Sequence, residues 1–165
     1  MSIHPLVTQL RFARSEFARG LAGVTDEEAR RRFLPMNCIS WLVGHLANQE
    51  HRYWVELAQG QSVVAGLHEL VGFGKPASTP PLDEMWDAWR ATTAAADRYL
   101  ETLTAEQLPT HFLRSGQPVA ENIGAMLLRN TYHYWYHTGE AAAVRQLLGH
   151  TGLPDFVGNM AAVRF

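Results

Sequence analysis

Apolar residues recur three and four apart along most of this chain, and no stretch alternates apolar with polar residues as a half-buried strand would. That period restricts the fold to packed helices. Residues 5–19 form the first candidate helix, with Leu6, Leu10, Ala13, Phe17 and Leu21 at helical spacing. Pro5 suits its first turn, and Gly20 and Gly23 punctuate its end. A capping box fits Thr25-Asp-Glu-Glu28. The second long helix is expected from Ser40, as N-cap, to about Gln59. A third begins near Leu82 or Asp83, with an acidic first turn, and runs to about Leu103. The last spans residues 119–148 and stops at Gly149. Four such helices in 165 residues predict an all-α four-helix bundle, with residues 1–165 as one domain.

Residues 60–81 break the pattern, with Gly60, Gly66, Gly72, Gly74, Pro76, Pro80 and Pro81. A connection of that length between helices 2 and 3 is long for a compact bundle and usually covers a site. Leu70, Val71 and Phe73 predict that it packs onto the body, with Phe73 or Lys75 near the opening of a site. The tail, with Gly152, Pro154 and Gly158, is expected to lie across the bundle surface.

The formal net charge of −2 offers no field for nucleic acid, and Arg30-Arg31-Arg32 reads as a solvated helix face. The single cysteine, Cys38, excludes an internal disulfide and a Cys-rich zinc motif. Its place before a helix start could lower its pKa, but burial in packing is the commoner fate of an unpaired cysteine. No signal peptide and no uncharged membrane-length stretch is legible, so a cytoplasmic protein is expected.

His133 and His137 stand four apart in Asn130-Thr-Tyr-His-Tyr-Trp-Tyr-His-Thr-Gly-Glu140, so on a helix both imidazoles share one face. His45 lies in a second apolar segment, Ser40-Trp-Leu-Val-Gly-His-Leu-Ala. One inward stripe collects Trp41, His45, Asn48, Gln49 and Arg52; the other collects Met126, Asn130, His133, His137 and Glu140. Polar groups on inward stripes are costly unless they bond something. A divalent metal on His45, His133 and His137, with a free position for water or substrate, is one account. Two blander accounts stand beside it: histidines packed as aromatic-like core residues, and a stripe satisfied by water and hydrogen bonds. His51 and His150 fall off the stripe and read as surface or cap residues. Tyr134 follows His133, so the adjacent glutamate of an H-E-x-x-H site is missing, and no Glu-x-x-His pair or G-x-S-x-G elbow occurs.

Ser40-Trp-Leu-Val-Gly-His-Leu-Ala resembles the second-helix signature of the DinB/YfiT-like superfamily. His133-x-x-x-His137-x-Gly-Glu140 is similar to that family's last-helix motif, and Val71-Gly-Phe-Gly-Lys75-Pro resembles its loop between helices 2 and 3. The resemblance runs from the first helix to about Leu153. It implies a four-helix bundle, a His₃ divalent-metal site on His45, His133 and His137, and a homodimer. Members include metal-dependent hydrolases, low-molecular-weight thiol S-transferases and a mycothiol-dependent isomerase branch. Glu140 stands where glutamine is common, and the family name carries no implication of DNA binding.

The expectation is therefore an enzyme that uses a metal to activate water or a low-molecular-weight thiol toward a small-molecule substrate, as hydrolase or thiol S-transferase. Zinc fits the ligands first, with nickel, iron and manganese as alternatives, since geometry rather than affinity decides selection. Trp41, Asn48, Gln49 and Asn130 are expected in the pocket, and Glu140 as an acceptor behind a ligand histidine. A non-catalytic bundle that binds a small ligand or metal is the competing reading.

Overall fold

The computed structural model describes residues 3–162. Four long helical segments form an all-α bundle. Helix α1, Pro5–Gly20, is capped by the His4 ring, whose Nδ1 accepts from the Leu6 amide at 3.2 Å. Its inward face carries Val7, Leu10, Ala13 and Phe17, all fully or almost fully buried. The short α2, Asp26–Arg30, opens with the expected capping box: Thr25 Oγ accepts from the Glu28 amide, and Glu28 Oε2 accepts from the Thr25 amide at 2.9 Å.

Helix α3, Ile39–Glu50, begins two residues earlier than the reading with Ser40 as N-cap. Cys38 takes the extended N-cap conformation, buried, and Ser40 is already inside the helix with its Oγ 3.3 Å from Cys38 Sγ. After Glu50 the same rod widens into a π-helix, His51–Leu57. The loop that follows contains a short helix, α4, Leu67–Val71. Helix α5, Leu82–Leu100, ends three residues before the expected Leu103; its first free amide, Leu82 N, is satisfied by Asp26 Oδ1 at 2.8 Å.

Helix α6, Ile123–Leu147, starts later than residue 119. Residues before it belong to a small antiparallel hairpin, β1 Leu113–Arg114 with β2 Gln117–Pro118, and the Val119 amide bonds back to Phe112 O at 3.0 Å. Asn122 then caps α6, its Oδ1 accepting from Ala125 N at 2.7 Å. Gly149 ends it with φ of +87°, a left-handed conformation that suits glycine.

Helix α1 packs along α6, and α3 along α5, with α3 also meeting α6 and α4. Gly44 makes the α3–α4–α5 approach close: a Cβ there would stand 2.3 Å from Met85 Sδ and 3.2 Å from both Val71 methyls. At the centre of the bundle lies a buried polar knot that apolar periodicity does not announce. Arg14 Nε donates to Glu50 Oε1 at 2.8 Å, Arg14 Nη1 to Asp97 Oδ1 at 2.6 Å, and Tyr134 Oη to Glu50 Oε1 at 2.5 Å. Trp89 Nε1 donates to Tyr134 Oη at 2.7 Å. Burial and the neighbouring Glu50 carboxylate hold the Tyr134 phenol well above its usual range. The tail lies against α1, where Gly158 N and the Arg19 side chain meet Glu16. Among the described residues no helix is long and apolar enough to cross a membrane.

Candidate metal centre

The i,i+4 spacing on α6 sets His133 and His137 on one face, and α3 presents His45 to them across the bundle. One ligand-capable nitrogen of each ring lies within 4.8 Å of the others, so the three form a group that could hold a metal ion. His133 Nε2 and His137 Nε2 are 2.9 Å apart. His45 meets His133 and His137 edge to face, with centroids 4.9 and 5.4 Å away.

Each ring is held from behind through Nδ1. The His45 Nδ1 lies 2.8 Å from the carbonyl oxygen of Val71, at the end of α4, and Trp41 stacks on the same ring at 4.3 Å. The His133 Nδ1 lies 3.0 Å from Gln49 Oε1, and the His137 Nδ1 2.7 Å from Glu140 Oε2. A carbonyl and a carboxylate accept but do not donate, so His45 and His137 carry their protons on Nδ1 and turn Nε2 inward. Burial, first of all, lowers the pKa of His45 to about 4 and that of His133 to about 3, with the neighbouring rings adding to the effect. Both rings are therefore neutral near pH 7.

A cavity of about 770 Å³ opens beside the cluster, lined among others by His45, Asn48, Gln49 and His133. The lining includes the apolar and aromatic side chains of Phe73, Leu128, Tyr132 and Tyr136. Arg52, Tyr53 and the Glu121–Arg129 ion pair also line it. Arg52 has no acidic partner among the described residues, whereas Arg129 is neutralised by Glu121.

The expected pocket residues divide in two. Asn48 and Gln49 line the cavity; Trp41, Asn130 and Glu140 stand behind the rings, stacking or bonding rather than facing the space. Phe73 of the loop reaches the cavity, whereas Lys75 pairs with Glu69 at 2.6 Å. His51, read as a surface or cap residue, stands at the C-cap of α3 and is buried; its Nε2 accepts from the Val63 amide at 3.0 Å and so ties the loop to the bundle. His150 bonds to Arg145 and Glu28, joining the end of α6 to α2. Two contributors escaped the stripe argument: the Val71 carbonyl, which has no side-chain signature, and Trp54, whose indole bonds to Asn130.

Comparison with protein families matches the model of a family described as mycothiol-S-transferase over residues 5–149. No curated protein matches the chain. Among solved structures, a conserved protein from Enterococcus faecalis is similar with a TM-score of 0.65 and 20% identity, over 91% of this chain and 99% of its own. At that identity the likeness concerns the fold alone.

Proposed function

The chain belongs to the mycothiol-S-transferase family, a DinB/YfiT-like family, and from that premise we propose a metal-dependent S-transferase that joins mycothiol to an electrophilic small molecule at the histidine cluster. One observation carries the metal half of this reading. Three imidazoles are held through Nδ1, and the Nε2 atoms of two of them are 2.9 Å apart. Two lone pairs at that distance repel unless a proton or a cation lies between them. The donor set therefore fits a divalent cation, zinc first by ligand type; nickel and iron also suit imidazole nitrogen, whereas manganese favours oxygen donors.

Such an ion, when bound by His45, His133 and His137, would lower the pKa of a thiol in its open position and so supply a thiolate at neutral pH. The chain's own residues do the remainder. Val71, Gln49 and Glu140 keep the three rings from rotating. A cavity of about 770 Å³ accommodates a small thiol with an electrophile beside it. Phe73, Tyr132 and Tyr136 provide surface for an apolar electrophile, and the Arg52 guanidinium can donate to oxygens of either substrate. In the transfer, the thiol proton leaves to solvent at the cavity mouth. The sulfur forms a bond to the electrophilic carbon, whose leaving group departs with its electron pair.

The test has two parts. Protein purified without chelator should carry about one divalent ion per chain, and His137→Ala should lose most of it. Mycothiol plus a panel of electrophiles should then give S-conjugates with the wild type and not with His137→Ala. Turnover of an ester and amide panel without any thiol requirement would replace transfer by hydrolysis. Wild-type protein that stays metal-free after incubation with zinc, nickel, iron and manganese would remove the metal from the reading altogether.

A further inference from the structure

His133 differs from its two partners in what stands behind it. His45 faces a carbonyl and His137 a carboxylate, and both groups can only accept. His133 faces the amide of Gln49, which can turn over and present either oxygen or NH₂. If it turned, His133 Nδ1 would have to accept, its proton would move to Nε2, and the lone pair would point away from the cluster.

The neighbours of Gln49 decide the matter. The Trp54 indole N–H can donate and has no acceptor capacity. It lies 2.7 Å from Asn130 Oδ1, so Asn130 must turn its oxygen to Trp54 and its Nδ2 to Gln49, 3.0 Å away. Gln49 must then present Oε1, and that same oxygen lies 3.0 Å from His133 Nδ1. Trp54 and Asn130 are each 0% exposed, so water cannot replace the indole or reach the Asn130 amide, while Gln49 itself borders the cavity. We propose that Trp54 is a positioning residue for the cluster: its donor-only indole passes its polarity through Asn130 and Gln49 and fixes the proton of His133 on Nδ1. This deepens the metal reading given above, but the tautomer itself does not depend on it.

The relay is tested in metal-free protein by two- and three-bond ¹H–¹⁵N correlations, which distinguish Nδ1–H from Nε2–H imidazole. Wild type should show His133 as Nδ1–H, with its Nε2 accepting the proton that the 2.9 Å contact to His137 Nε2 calls for once no cation is there. Trp54→Phe removes the donor, and His133 should become a mixture of tautomers, with zinc affinity down roughly ten- to a hundredfold. Gln49→Glu supplies a carboxylate that accepts in either orientation. In that background Trp54→Phe should leave the Nδ1–H tautomer intact and add no further loss of zinc affinity, a rescue that mere packing damage would not show. Trp54 also packs against Tyr99 and Phe112, so Trp54→Phe could fail to fold. Asn130→Asp, which is isosteric, then carries the test over a pH series that passes the ionisation of the new carboxylate, which burial raises above its ordinary value; once ionised it cannot donate. Gln49 should turn over and His133 should appear as Nε2–H. An unchanged His133 tautomer in Trp54→Phe or in Asn130→Asp overturns the proposal, as does a loss of zinc that persists in the Gln49→Glu background. Wild type with the Nδ1–H tautomer but no affinity for zinc would sink the metal reading and leave the relay standing.

Discussion

Glu140→Gln keeps an acceptor behind His137 and removes its charge, so it measures what the carboxylate adds. In the native protein Glu140 Oε2 lies 2.7 Å from His137 Nδ1, and the Glu140 side chain is 20% exposed. A hydrogen bond to a charged group contributes about 1.5–3 kcal/mol, against about 0.5–1.5 kcal/mol for a neutral one. Partial exposure screens some of that difference, which leaves about 1 kcal/mol, or roughly fivefold in metal affinity. Glu140→Ala removes the acceptor as well and lets the ring rotate, which should cost roughly ten- to a hundredfold. Competition between protein and a chelator for zinc, with helicity checked by circular dichroism, gives the order wild type, Gln, Ala. A Gln variant that loses zinc as completely as His137→Ala would mean that the carboxylate touches the ion itself. An Ala variant that binds zinc like wild type would refute the claim that Glu140 orients His137.

Three further outcomes follow from the geometry. Glu50→Gln leaves the buried Arg14 with only Asp97 as a charged partner, and should lower stability by about 3 kcal/mol, or roughly 6–12 °C in Tm, by calorimetry; a shift under a degree would show that Asp97 suffices. In metal-free protein, His45 and His133 titrate near 4 and 3 instead of the ordinary 6.5, so between those limits the unfolded chain binds more protons than the native one. Their contribution is present above pH 6.5 and is lost as pH falls through that window, so the urea midpoint should drop on acidification, less steeply in His133→Leu; equal slopes would contradict the assignment. Gly44→Ala places a methyl 3.2 Å from Val71 and should cost about 1–3 kcal/mol in stability, while weakening zinc binding by moving the carbonyl that holds His45; a variant with native Tm and native affinity would show that α4 adjusts freely.

The all-α class, the four long helices and the shared face of His133 and His137 were legible in the chain alone, because each depends on a local period; that His45 meets them rested on the polar stripe around it and on the resemblance of its motif. His133 and His137 share a face at any point of a regular helix, and the polar residues around His45 mark the α3 side that turns inward. The ends of the elements were less legible: α6 starts at Ile123 because the hairpin backbone takes residues up to Val119, a pairing between distant positions. The knot of Arg14, Glu50, Asp97 and Tyr134 was invisible for the same reason, since its members lie on four helices and each alone reads as an ordinary polar residue. What only the tertiary structure decided is what stands behind each ring. The acceptor for His45 is a backbone carbonyl brought in by the fold of the loop, and a carbonyl has no residue code. Trp54 lies nine residues beyond His45, which at about 100° per residue places it on the opposite face of an α-helix. The π-helix after Glu50 breaks that phase, and Trp54 comes to bond with Asn130 on α6. Residue types and spacing determined which groups could meet; the change of helical phase and the course of the loop determined which way their protons point.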